Sequence, residues 1–138
     1  MTDKTAMLPE SFLFLLEQEE KRRQLREDAG LPALTILIDA AHSGGGQARH
    51  IRRFLLGLYN ASHWPFELNR LRALDAELQQ AALQVLALDW NGREVHTYVP
   101  GGDELFQSWW EWEASAWLPQ AGAPPQKPAA WRETRNTA

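Results

Sequence analysis

The stretch "DAAHSGGGQARHIRRFLLGLYNA", residues 39–61, decides how this chain folds. Ile51, Phe54, Leu55 and Leu58 recur at i, i+3, i+4 and i+7, the spacing of a helix with one apolar face. Arg49, Arg53 and Asn60 fall on the opposite side, with His50 and Arg52 flanking them. The pattern predicts a helix over residues 47–61. The three glycines before it pose a choice between a phosphate loop and a turn. A phosphate loop needs a lysine and a Ser or Thr at the loop–helix junction, and here Gln47 and Ala48 stand there. The dinucleotide fingerprint needs a different glycine spacing. The glycines therefore read as a connection between two helices, with glycine supplying positive φ.

Working upstream, "PESFLFLLEQEEKRRQLREDAG" reads as a helix that starts at Pro9 and stops at Gly30. Glu17 with Lys21 and Glu19 with Arg23 are i,i+4 pairs in the favourable order. "LPALTILIDAAH" is short and apolar; Pro32 at a helix start and the following glycines favour a second helix over a strand. Downstream, the Trp64-Pro65 break precedes one short helix. Asp75 then suits the N-cap of "AELQQAALQVLAL". Asn91-Gly92 is either a helix C-cap or the turn of a short β-hairpin, and the cap is preferred. Asp103 is placed to cap "ELFQSWWEWEASAW". Residues after 118 are rich in Pro and Ala and have no periodic face.

These elements predict a mainly α protein: a compact bundle of about five helices over residues 9–118. A flexible N-terminus (1–8) and a disordered tail (119–138) flank it. The expected core is Ile51, Phe54, Leu55, Leu58, Leu78, Val85, Leu86, Leu105, Trp109 and Trp112. A chain of 138 residues, 44% hydrophobic, can build such a core as one domain.

Composition narrows the function. The chain has no cysteine, which excludes thiol nucleophiles, disulfides and cysteine-ligated metals. No membrane span and no signal peptide are legible, so a bacterial cytoplasm is the expected setting. Net charge is −4, unevenly spread: residues 42–72 carry +4 and residues 73–118 carry −7. Such an acidic chain is a poor match to a dedicated DNA-binding domain.

The arginines Arg49, Arg52 and Arg53 are the first candidate contacts. They can grip anions on a partner protein, grip nucleic-acid phosphates, or pair with the acidic 73–118 region. Among seven tryptophans, Trp109 and Trp112 suit the core, while Trp110 and Trp117 suit an edge that anchors a partner. The histidines His42, His50, His63 and His96 are scattered without metal-ligand spacing. Ser43 near His42 and Asp39 lacks the Gly-x-Ser-x-Gly context of a hydrolase. No catalytic, cofactor or metal site is assigned.

"GGQARHIRRFLLGLYNA", the aromatic turn "HWPFELNRLRALD" and the helix "AELQQAALQVLAL" resemble a family of small uncharacterised bacterial proteins. Its members are often encoded on integrative conjugative elements and related mobile DNA. The resemblance covers roughly residues 33–90 and brings no catalytic residues with it. It implies a cytoplasmic, mobile-element setting. The sequence thus points to a non-enzymatic accessory or regulatory protein working through protein contacts or self-association. A weak DNA or RNA binder using the same arginines is the alternative.

Overall fold

The computed structural model describes residues 9–117, 124–127 and 131. The N-terminal segment 1–8 lies outside these residues, as does most of the tail. Among the described residues four long α-helices are laid out: α1 (Glu10–Ala41), α2 (Gly46–Tyr59), α3 (Ala76–Asp89) and α4 (Gly102–Ser115). Two 3-10 turns, Leu68–Ala73 and Val95–Tyr98, link them, and no strand occurs among the described residues. The helical bundle expected from periodicity is the fold observed.

The helix boundary expected at Gly30 is absent. α1 runs unbroken for 32 residues through Gly30 and Pro32. Proline costs α1 the bond from its missing N–H to the Asp28 carbonyl, and its ring lies on the exposed side. What carries the helix through is packing: Gly30, Ala33, Leu34, Leu37 and Ala41 form one buried stripe. The main neighbour of α1 is α3. Gly30 sits at that crossing, where an added Cβ would stand 2.7 Å from Leu88 Cβ. Glycine is here a packing residue, not a terminator.

Arg23 does not pair with Glu19 as expected. Its Nη1 donates to the Asn91 carbonyl (2.8 Å), Arg26 Nη1 donates to Asn91 Oδ1 (3.2 Å), and Asn91 Nδ2 donates to the Arg23 carbonyl (3.1 Å). Asn91 is thus a buried, fully engaged clamp at the end of α3. Gly92 follows with φ +85°, two residues past the Trp90 C-cap, and no hairpin forms. The hairpin alternative for Asn91-Gly92 is thus absent, and the cap itself falls just before this pair, at Trp90. Asp75 caps α3 as expected, accepting from the Leu78 amide at 3.0 Å. Asp103 is not the cap of α4: left-handed Gly101 is, and Asp103 lies in the first turn. The glycines 44–46 connect α1 to α2 as a turn, but none of them has positive φ.

In α4 the inward face is turned from the expected one. Phe106, Trp109, Trp110 and Glu113 are buried, whereas Trp112 is 41% exposed. Trp110 and Trp112 therefore exchange their expected places. An acidic residue in the middle of the true face disguised it. Ile51, Phe54, Leu55, Leu78, Val85 and Trp109 are core as expected, with Leu58, Leu86 and Leu105 packed against it. Trp64, Phe106, Trp110 and Trp131 add aromatic bulk to it, and Leu34, Leu37, Leu56 and Leu88 join it.

Candidate functional site

Glu113 is the centre of the candidate site. Its carboxylate is sealed at 1% exposure, and such a burial is tolerable only with charged partners. Helix α2 supplies them. Arg52 Nε donates to Oε2 (2.8 Å) and Arg53 Nε donates to Oε1 (2.7 Å). Arg49 Nε stands 3.4 Å from Oε1 without hydrogen-bond geometry, while its Nη2 donates to the Ala116 carbonyl (3.1 Å). The spacing 49, 52, 53 puts the three side chains on the α2 surface that meets α4.

The three arginines are not equivalent. Arg52, expected to be a contact residue, is internal. Its Nη1 donates to the carbonyls of Ala41 (2.8 Å) and Ser43 (2.9 Å), and its guanidinium lies 3.7 Å from the centre of the Trp112 ring. It thereby satisfies the C-terminal end of α1, which has no basic residue in its own last turn. Arg49 keeps 39% of its side chain in solvent and Arg53 keeps 13%.

Arg49 and Arg53 open onto a groove of about 380 Å³, with Pro65, Phe66, Glu67, Arg70 and Trp117 as the other walls. The 3-10 turn Leu68–Ala73 brings Arg70 there, which sequence periodicity had not singled out. Arg70 Nη1 donates to His50 Nδ1 at 3.2 Å and Nη2 lies 3.6 Å from Glu67. That donation requires an unprotonated Nδ1. Burial, then the charges of Arg70, Arg49 and Arg53, hold the His50 pKa below its usual value, so the geometry and the charge agree. Burial also pulls Arg53 below the ordinary guanidinium range, against its bond to Glu113. With Arg52 and Glu113 both internal, three guanidiniums and one carboxylate, Glu67, line the groove. The groove is left electropositive, with aromatic and proline walls.

Trp110, expected at an edge, is 1% exposed and cannot present itself to a partner in this state. Trp117 is half-buried; it packs edge-on to Trp64, and the Arg53 guanidinium lies 5.0 Å from its ring. A larger cleft, about 670 Å³, is lined by Asp39, Ser43, Gln47, Asp75 and Glu77 among others. Two of its polar groups serve the fold: Gln47 Oε1 accepts from the Asp75 amide, and Asp75 caps α3. The nominal hydrolase set does not assemble, because Ser43 Oγ donates to the Ala40 carbonyl and His42 Nδ1 contacts the Ile38 carbonyl. No group of three His, Cys, Asp or Glu able to hold a metal occurs among the described residues. No helix among them is long and apolar enough to cross a membrane.

A family model spanning residues 31–113 matches the chain. The chain belongs to DUF7673, a family of unknown function. The DUF7673 region contains Arg49, Arg52, Arg53, Arg70 and Glu113, hence all the charged groups of the site. It ends before Trp117. No curated protein and no solved structure matches the chain.

The sequence offers Arg49, Arg53 and Trp117 as separate candidate contacts, and the fold brings them to one groove. Sequence reasoning missed Glu113 and Arg70. The signal for Glu113 was present: three arginines over residues 49–53 and a strongly acidic 73–118 segment in one small chain.

Proposed function

We propose that this protein is a non-enzymatic docking module that takes an acidic segment of a partner protein in the Arg49–Arg53–Arg70 groove. The observation that carries this is the convergence of those three guanidiniums on one groove walled by Phe66, Pro65 and Trp117. Guanidiniums bind carboxylates in forked pairs. The aromatic and proline walls suit apolar side chains interspersed with the acids. Arg53 and Arg49 are pre-positioned by Glu113, so little rotamer freedom is lost on binding.

A long phosphodiester fits less well. It needs an extended basic track, whereas this groove is short and the chain carries −4 overall. Nucleic-acid binding is the outcome that displaces this reading. The resemblance of residues 33–90 to proteins of mobile DNA supports a bacterial accessory or regulatory setting, in the cytoplasm. Calorimetric titration of an acidic-apolar peptide into the wild-type protein and Arg70→Glu tests the groove. Binding that Arg70→Glu removes supports the reading, and binding that it leaves unchanged removes it.

A further inference from the structure

Trp110 packs against Tyr59, His63 and Trp64, and chain beyond α4 also returns to it. Its Nε1 donates to the Pro125 carbonyl at 3.1 Å. Trp131 lies flat on Tyr59 (centroids 4.9 Å apart, planes 11° apart) and meets Trp110 edge-on at 5.4 Å. Lys127 Nζ donates to Glu111 Oε1 at 2.6 Å. Pro124, Pro125 and Gln126 line a cavity together with His63 and Trp117. These residues belong to the segment whose composition predicted disorder; where described, they are seated on the domain.

The geometry is that of peptide recognition. Proline has no N–H, and its carbonyl is free to accept; an indole N–H on an aromatic shelf supplies the donor and the rings supply the packing face. A downstream aromatic in its own slot fixes register, and a lysine on a carboxylate adds orientation. Tyr59, His63, Trp110 and Glu111 lie inside the family-matched region, while the occupant lies beyond it. Most of the receptor, Trp117 apart, thus lies in the family-matched region, and its ligand lies outside it.

We propose that the Tyr59–Trp110–Trp117 shelf is a binding slot for extended proline-rich segments of the form Pro-Pro-x-Lys with a tryptophan four residues after the lysine. In this protein its own tail fills the slot. A tethered ligand acts at an effective concentration of the order of millimolar, so a segment from another chain enters only when the tail yields. The slot shares the Trp117 wall with the acidic-segment groove but uses neither Arg49 nor Arg70, and its test changes no residue that lines that groove.

The probe is a fluorescein-labelled peptide of residues 121–133, AGAPPQKPAAWRE, followed by anisotropy with the full-length protein. Trp131→Ala empties the aromatic slot, and Lys127→Glu reverses the ion pair without touching the core. Each variant is checked for native helicity. Peptide affinity rising at least about tenfold over wild type in Trp131→Ala, and to a smaller degree in Lys127→Glu, supports the slot. The same peptide with its proline at 125 and tryptophan at 131 replaced by alanine is expected to lose that gain. Should Trp131→Ala lose its fold, Lys127→Glu alone decides. Wild-type-like affinity in every variant that folds, or equal binding of the alanine peptide, overturns the proposal.

Discussion

Arg52 donates through Nε to Glu113 Oε2 at 2.8 Å, and the two side chains are 3% and 1% exposed. This pair joins α2 to α4, and through the Ala41 and Ser43 carbonyls Arg52 adds the end of α1. Three helices thus meet on one guanidinium. Removing the carboxylate charge leaves that cation buried without its counter-ion, which costs more than the intact pair contributes. Glu113→Gln is expected to destabilise the protein by about 3–5 kcal/mol in urea unfolding. A loss under about 1 kcal/mol contradicts the buried pairing, since exposed pairs contribute only that much.

Gly30→Ala tests the α1–α3 crossing. Helix propensity alone favours alanine by about 1 kcal/mol. The added Cβ, however, meets Leu88 Cβ at 2.7 Å and the Gln84 carbonyl at 3.2 Å, and neither is a free side-chain end. Overpacking of about 1–3 kcal/mol is expected to win, lowering the urea midpoint. A raised midpoint means that the helices do not approach so closely.

Asp75→Ala removes the acceptor for the Leu78 amide at the start of α3. A loss of about 1 kcal/mol is expected by the same measurement. No loss shows that the cap is dispensable.

His50 gives a pH signature. Its folded pKa lies below 6.5, chiefly through burial and then through Arg70. The unfolded chain therefore binds the proton first as pH falls, and stability decreases from about pH 6.5 down through the folded pKa. An anion in the groove offsets Arg70, Arg49 and Arg53, so ligand is expected to raise the His50 pKa. Carbon-detected imidazole titration follows both. A free-protein pKa at or above 6.5, or no upward movement with ligand, contradicts this electrostatic picture.

Much of the fold was legible. The α2 face repeats cleanly at i, i+3, i+4 and i+7, and Asp75 marks the start of α3 by cap chemistry alone. What misled were residues whose local habit is overridden from a distance. Gly30 and Pro32 speak locally for a break, but the stripe from Gly30 to Ala41 buries against α3 and holds the helix through them. Glu113 speaks for solvent, but Arg52 and Arg53 neutralise it, and α4 turns Trp110 inward and Trp112 outward. Trp131 sits in a Pro/Ala-rich segment whose composition speaks for disorder, yet it stacks on Tyr59 and meets Trp110 edge-on. At the candidate site, the arginine cluster was visible as a charge excess. Its division into one structural arginine and two groove arginines depends on α4 and on Arg70, which periodicity in α2 does not reveal.

The central claim is that the groove takes acidic protein segments. Its most direct measurement is an anisotropy competition across a salt series. A labelled acidic-apolar peptide is displaced by unlabelled peptide or by single-stranded DNA of equal charge, on wild type and on an Arg49→Gln/Arg70→Glu variant of checked fold. Peptide binding that the variant abolishes and that DNA displaces only weakly is the expected result. DNA displacing the peptide at lower concentration than the peptide itself, with affinity falling steeply in salt, contradicts it.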